Sequence, residues 1–267
     1  MPITTALPIN VFDQEAFHQV DRVVTGLAFD IHNEFGRYLD EEHYQRQLTR
    51  RCEEVGFDVQ LEFEMTASLD GFEKCYFADL LVDRGVIVET KAVSALTSAH
   101  KGQTLNYLFF CGLHHGTLLN FRTERVEHEF VSTRLTHDAR QQYEVETTHW
   151  KPLSGDCNRL SDALSRCLAE WGAYLDPHPY RDAITQFLGG EDRVLRDIPI
   201  LSNGLSIGTQ KMHLISDDVA FAVTASIHHP AKVLDHQQRF LNHTPLKGLH
   251  WINLNHNQIE LRTIERS

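Results

Sequence analysis

Glu89 and Lys91 sit two positions apart in "VIVETKAV" (86–93), a stretch that otherwise has the apolar, β-branched make-up of a buried strand. Residues i and i+2 of a strand share a face, so an acid and a base stand side by side on it. Asp79 lies on the preceding apolar run, "CYFADLLVD". If the two runs pair, Asp79 comes beside Glu89 at the strand ends. Adjacent carboxylates repel and are costly to bury unless a cation joins them. Mg²⁺ takes oxygen ligands and keeps several waters, which suits such a place, with Mn²⁺ as a substitute. Lys91 could then orient or help deprotonate a water. Glu41, one turn before Tyr44 on a helix, belongs to that helix's inward stripe and offers a third carboxylate. Gln103 and Tyr107, spaced i and i+4, offer hydrogen bonds to a carboxylate, a water or a phosphate. Each residue alone has an ordinary reading: a surface ion pair, a strand-end acid, a first-turn acid favoured by the helix dipole, an exposed glutamine, a core tyrosine. Their order and spacing together point to chemistry.

The elements that must carry these groups follow from periodicity. Residues 13–35 read as an amphipathic helix, with Asp13 as N-cap and Phe17, Val20, Val24, Leu27, Ile31 and Phe35 on one face. Gly36 ends it. A second helix over 40–55 has the stripe Tyr44, Leu48, Cys52 and Val55, with Gly56 after it. "FDVQLEFEM" alternates, turning Phe57, Val59, Leu61, Phe63 and Met65 to one side, and "LDGFE" supplies the Asp-Gly turn of a hairpin. Residues 97–110 read as a helix, and 116–121 and 126–131 as strands. The order α-α-β-β-β-α-β-β defines an α/β domain.

Length and composition suit two small domains or one large one. No apolar run approaches the roughly 20 residues that span a bilayer, and the amino-terminal stretch lacks the features of a signal peptide. The five cysteines are scattered without C-x-x-C spacing, which favours a reducing, cytoplasmic setting over disulfides or a zinc ribbon. A net charge of −12 argues against a non-specific nucleic-acid coat, not against an enzyme with a local basic strip. Seventeen histidines invite a metal reading. However, His114–His115 and His228–His229 are adjacent pairs whose members point apart on a strand, and no H-E-x-x-H is present.

The second half repeats the first. Gly36, Tyr38, Leu39, Asp40 and Tyr44 recur as Gly172, Tyr174, Leu175, Asp176 and Tyr180. "HKGQTLNYLFFCGLH" (100–114) lies over "HQQRFLNHTPLKGLH" (236–250), and "DLLVDRGVIVETKA" (79–92) over "HLISDDVAFAVTAS" (213–226). On this match Glu41, Asp79, Glu89, Lys91 and Tyr107 correspond to Pro177, His213, Val223, Ala225 and His243. The fold would be kept and the site lost.

An aspartate followed by E-x-K, after an upstream helix glutamate, resembles the PD-(D/E)XK nuclease superfamily. Q-x-x-x-Y on the next helix is similar to its RecB-like exonuclease branch. More closely, residues 27–131 resemble the GxxExxY family through "IHNEFGRYLDEEHY", "ADLLVDRGVIVETKAV", "QTLNYL" and "LLNF". Tyr38 replaces the opening glycine of that family's name motif, while Glu41 and Tyr44 are kept. The resemblance implies two tandem restriction-endonuclease-like α/β domains, each a central mixed β-sheet flanked by helices. Residues 8–131 would hold the intact site, 132–157 a connection and 158–267 a degenerate copy, packed as an intramolecular pseudo-dimer. It implies Glu41, Asp79 and Glu89 as metal ligands, Lys91 assisting the attacking water, and Gln103 and Tyr107 completing the site. The reaction would be Mg²⁺-dependent hydrolysis of phosphodiesters in nucleic acid, DNA being the first expectation. Arg46, Arg50, Arg51 and Lys101 could meet backbone phosphates, with solvated helix faces as the competing reading. A non-catalytic nucleic-acid- or protein-binding module on the same fold is the alternative.

Overall fold

The computed structural model describes residues 3–227 and 230–266, so the pair His228–His229 lies outside it. The chain divides into two compact units, Met1–His137 and Asp138–Ser267. Among the described residues no helix is long and apolar enough to cross a membrane.

The first unit runs β1 (Ile3–Thr5), α1 (Gln14–Phe35), α2 (Glu41–Glu54), β2 (Val59–Leu69), β3 (Phe72–Val82), β4 (Val86–Lys91), α3 (Ser98–Cys111), β5 (His115–Asn120) and β6 (Glu127–Ser132). Its sheet has the order β1-β2-β3-β4-β5-β6. Strands β4 and β5 are parallel, joined through α3, and the other neighbours are antiparallel. Asp13 caps α1 by accepting from Ala16 N–H at 2.8 Å. Asp70 and Gly71, both at positive φ (46° and 88°), make the β2–β3 turn that Asp-Gly favours. The core lies between α1 and α2 and one sheet face. It takes Phe17, Val20, Val24, Ala28 and Ile31 from α1, Tyr44, Leu48 and Cys52 from α2, and Val59, Leu80, Val82, Val86, Val88 and Leu119 from the sheet.

Three apolar residues depart from the expected stripes. Phe35 and Val55 stand at helix ends beyond the sheet and are 39% and 54% exposed. Leu61 is 40% exposed, and after it Glu62 adopts a left-handed conformation (φ 52°) and breaks the alternation of β2. Val59 packs with α1 and α2, whereas the Met65 sulfur meets Cys111 of α3 at 3.4 Å.

The second unit runs α4 (His137–Arg140), β7 (Glu144–Glu146), α5 (Cys157–Trp171), α6 (Pro177–Phe187), α7 (Glu191–Val194), β8 (Leu195–Ser202), β9 (Leu205–Ser216), β10 (Val219–Thr224), α8 (Pro230–Asn242), β11 (Gly248–Asn255) and β12 (Gln258–Glu265). Residues 132–157, read as a connection, thus contribute α4 and the sheet-edge strand β7. The sheet order is β7-β12-β11-β10-β9-β8, with β10 and β11 parallel across α8 as β4 and β5 are across α3. Local details recur too. Gly36 and Gly172 end α1 and α5 at φ 73° and 74°, and each carbonyl accepts from a buried tyrosine hydroxyl, Tyr44 at 2.7 Å and Tyr180 at 2.5 Å. Asn120 of β5 holds both main-chain groups of Val93, and Asn253 of β11 holds both of Ser226.

These details correct the strand match by one residue. Asn120 pairs with Lys91 and Asn253 with Thr224, so Thr224, not Ala225, answers to Lys91. Ala222, not Val223, then answers to Glu89. The β9–β10 ladder sets Ala220 against Leu214 as Ile87 sets against Leu81, so Met212, not His213, answers to Asp79. The two hairpins have the same spacing, Leu81 to Ile87 and Leu214 to Ala220, so both strands move by one residue together. The shared letters Gly-Leu-His also part company. Gly112 is the left-handed C-cap of α3, while Gly248 begins β11. His243 falls after the end of α8, whereas Tyr107 lies inside α3.

Behind this sheet a buried chain of polar groups joins α5 to β11 and β12. Thr263 Oγ1 donates to the Lys151 carbonyl, so His250 Nδ1–H donates to Thr263 and His250 Nε2 accepts from the Cys157 thiol at 3.0 Å. Cys157 and His250 are both buried, and burial pushes His250 down to about 4.

Candidate active site

The site forms where the β3–β4 ladder opens. Backbone pairing runs from Val82–Val86 to Leu80–Val88 and stops. Beyond it side chains replace main chain as acceptors. Asp79 N–H donates to Glu89 Oε1 at 3.0 Å, and Thr90 donates to Asp79 Oδ2 from its N–H at 2.7 Å and from Oγ1 at 3.0 Å. On the other side of β3 the ladder to β2 omits the position opposite Asp79, which is the left-handed Glu62. Asp79 is thereby released from both neighbouring ladders. Glu41, the first residue of α2, reaches across to the end of β4, where Ala92 N–H donates to its Oε2 at 3.0 Å.

Lys91 Nζ lies among all three acids, 3.4 Å from Glu89, 3.7 Å from Asp79 and 3.8 Å from Glu41. The sequence-derived set Glu41, Asp79, Glu89 and Lys91 therefore converges. Gln103 and Tyr107 join each other, amide to hydroxyl, at 3.1 Å on α3. Burial chiefly raises the Tyr107 pKa, with Glu89 and Asp79 adding to it, so the hydroxyl lies in the field of the cluster.

The electrostatics are graded. Glu89 has no exposed surface. Burial and then the Asp79 charge push its carboxyl up to about 8, against the pull of Lys91 and of the Asp79 N–H. For Lys91, burial opposes the charge, yet Glu89, Asp79 and Glu41 together hold its pKa above the ordinary value. When every member is ionised, the cluster carries three negative charges to one positive. Among the described residues no His, Cys, Asp and Glu side chains are gathered into a ready-made metal cage. The donor set nevertheless fits a hard divalent cation: three carboxylates with main-chain partners, their oxygens facing one ammonium, and a charge excess that favours a further cation.

Periodicity missed the supports of this arrangement. Thr90 anchors Asp79, although by strand alternation it belongs to the opposite face. Buried Asn120 clips the end of β4 to β5, and its Oδ1 also accepts from Arg122 N–H at 3.2 Å. Arg122 donates from Nε to the Ala92 carbonyl at 3.2 Å and from Nη2 to the Leu39 carbonyl at 3.3 Å, tying the end of β4 to the loop before Glu41. Only the E-T-K triplet hinted at Thr90; the others join residues far apart in sequence. The four basic residues flagged for phosphate contact are all ion-paired: Arg46 with Glu42, Arg50 with Glu54, Arg51 with Glu34 and Lys101 with Glu129. Phosphate would have to compete for them.

At the matching place in the second unit, Met212, Ala222 and Thr224 are joined by a buried indole. Trp251 packs in one cluster with Met212 and Ala222 and donates from Nε1 to Thr224 Oγ1 at 2.8 Å. Pro177 begins α6 where Glu41 begins α2.

No curated protein and no solved structure gives a significant match to the chain. The two mixed six-stranded sheets flanked by helices are consistent with tandem PD-(D/E)XK-like domains. Residues 18–133, which contain every member of the acid–lysine cluster, match the family model of the PD-(D/E)XK nuclease superfamily.

Proposed function

We propose that the first unit is a divalent-metal-dependent nuclease that hydrolyses phosphodiester bonds of nucleic acid, and that the second keeps the fold without the chemistry. The observation that carries this reading is the convergence of Glu41, Asp79 and Glu89 on Lys91 at the open end of a strand pair. A structural ion pair needs one acid. Three acids around one base, one of them wholly buried, cost stability and are best explained by a ligand that answers the charge.

Glu41, Asp79 and Glu89 would hold the metal, Mg²⁺ by the all-oxygen donor set, with Mn²⁺ as substitute. When bound, the ion supplies neutralisation at the phosphate and a more acidic water. Lys91 Nζ is protonated in the free cluster, where it can orient a water or a phosphate oxygen. With the carboxylates engaged elsewhere, burial remains to lower its pKa and fit it to accept a proton. Tyr107 and Gln103 extend the hydrogen-bonding wall. The GxxExxY motif, with Glu41 and Tyr44 kept, supports the same assignment, and DNA is the first substrate to try. The fill of Trp251, Met212, Ala222 and Thr224 supports a structural role for the second unit.

A second reading has its own support. Lys91 lies within 3.8 Å of every acid and answers part of their charge itself, which suits a non-catalytic binding module. One experiment separates the two. Single- and double-stranded DNA and RNA are incubated with Mg²⁺ or Mn²⁺ and the parent protein, Glu89→Ala or Lys91→Ala. Nuclease function requires cleavage by the parent and a loss of roughly a hundredfold or more in each variant. Equal activity in all three would remove the assignment. No cleavage and no metal binding would leave the binding module.

A further inference from the structure

The loop between α1 and α2, immediately before Glu41, holds an aromatic side chain that the fold does not use. Tyr38 is 75% exposed. Beside it the Arg37 guanidinium lies 5.2 Å from the ring centre, with Nη2 donating to the Tyr38 hydroxyl at 3.2 Å.

The loop that bears this pair is tied on every side. Gly36 N–H donates to the His32 carbonyl at 2.8 Å, and the Gly36 carbonyl accepts from Tyr44. Leu39 N–H donates to the Tyr44 hydroxyl at 3.2 Å, and the Leu39 carbonyl accepts from Arg122, which also holds Ala92. Ala92 in turn holds Glu41. A path of hydrogen bonds therefore runs from Tyr38's neighbour to a carboxylate of the cluster. An exposed ring on a fixed loop meets a ligand with little ordering to lose.

The second unit supplies the contrast. Its loop keeps the glycine, the tyrosine and the hydroxyl clasp from Tyr180. However, Ala173 stands where Arg37 does and is buried, and Tyr174 is half-buried, its ring 5.6 Å from that of His256. Where the acid–lysine cluster is missing, the arginine is missing too and the tyrosine is used for packing.

We infer that Tyr38 and Arg37 form a stacking platform for an unpaired nucleotide next to the scissile phosphate, so that the substrate is single-stranded or frayed nucleic acid. This rests on the nuclease reading and narrows it. A single strand offers free base faces to an aromatic ring and phosphates to a neighbouring guanidinium. A paired, stacked duplex offers the phosphates alone.

The test is fluorescence anisotropy of the full chain in EDTA, at low salt, with a labelled single-stranded DNA and the blunt duplex of the same sequence. Tyr38→Ala is expected to weaken single-strand binding roughly 5- to 100-fold and Tyr38→Phe by less than about twofold, with little change on duplex. Tyr38→Trp is expected to match or exceed the parent, an outcome that no folding defect produces. Arg37→Ala is expected to weaken binding and flatten its salt dependence. Unchanged single-strand affinity in Tyr38→Ala would overturn the platform, and if the parent still cleaves and depends on Glu89, the nuclease reading stands without it. A parent that neither binds nor cleaves nucleic acid would overturn both.

Discussion

Glu89→Gln separates the stability of the first unit from its chemistry. Glu89 is fully buried, and its carboxyl is raised from 4.5 to about 8. An acid whose folded pKa lies above its unfolded value favours the folded state most when protonated. Its contribution is complete below about pH 4.5 and is lost as pH rises to about 8. The shift is worth about 5 kcal/mol in full, of which about 1 kcal/mol is already lost at about pH 5, leaving about 4 kcal/mol between about pH 5 and pH 8.5. Glutamine has no such loss. It retains an oxygen for the Asp79 N–H, but its amide nitrogen faces Lys91 Nζ, donor against donor, at a cost of about 1–2 kcal/mol. The variant should therefore equal or fall slightly below the parent at about pH 5 and exceed it by about 3 kcal/mol at about pH 8.5, while losing cleavage. Urea unfolding in EDTA at the two pH values, followed by far-UV circular dichroism, measures the stabilities, and the cleavage assay with Mg²⁺ measures the activity. Tryptophan fluorescence would miss the effect, because Trp150, Trp171 and Trp251 all lie in the second unit. A difference between the two proteins that is the same at both pH values would refute the argument, since it would mean that Glu89 is ionised in the folded state at either pH or titrates there as it does unfolded.

The second unit should respond to pH with the opposite sign. His250 is lowered from 6.5 to about 4, so its contribution is present above about pH 6.5 and lost as pH falls to about 4, at most about 3 kcal/mol. Fluorescence-detected unfolding of His250→Asn should show a shallower acid loss than the parent; an unchanged slope would dismiss the histidine as its source. Asn120→Ala leaves both main-chain groups of Val93 and the Arg122 N–H without their partner and should cost about 2–4 kcal/mol by circular dichroism, with cleavage reduced as the β4 end loosens. A loss within about 0.5 kcal/mol would show the clip to be dispensable. Exposed Cys75 should react with a thiol reagent at once, and buried Cys157 only through opening of its unit, at least about a thousandfold slower; comparable rates would show that α5 does not hold its first turn closed.

The residues that sequence could read are those whose meaning is local. The stripe from Phe17 to Ile31 marks α1 because helical spacing and burial against the sheet coincide there. Asp70-Gly71 marks its turn because few residue pairs tolerate two positive φ values. Glu89 and Lys91 were legible because a strand keeps alternate residues on one face, and Asp79 because its strand is the next one back. What escaped depends on geometry without its own letters. Phe35 and Val55 continue a stripe past the edge of the surface that buries it. A single left-handed residue, Glu62, turns Met65 away from the face of Val59, and the letters of β9 and β10 align one residue away from the match that the ladders set. Asn120, Arg122 and the Ala92 N–H act through main-chain groups distant in sequence. Such contacts exist only once β5 lies beside β4 and α2 packs over them.

The indole of Trp251 also bears on how readily the second unit could take up the charges of the first. Glutamate in place of Ala222 would set a half-buried acid against a tryptophan; lysine in place of Thr224 would remove the hydroxyl that Trp251 donates to and set a half-buried ammonium beside Met212 and Ala222. Each single replacement toward the cluster of the first unit is thus disfavoured until the others have been made. The neutral arrangement thus holds itself in place: a charge introduced at one of these positions finds no partner, and only several replacements together would supply one.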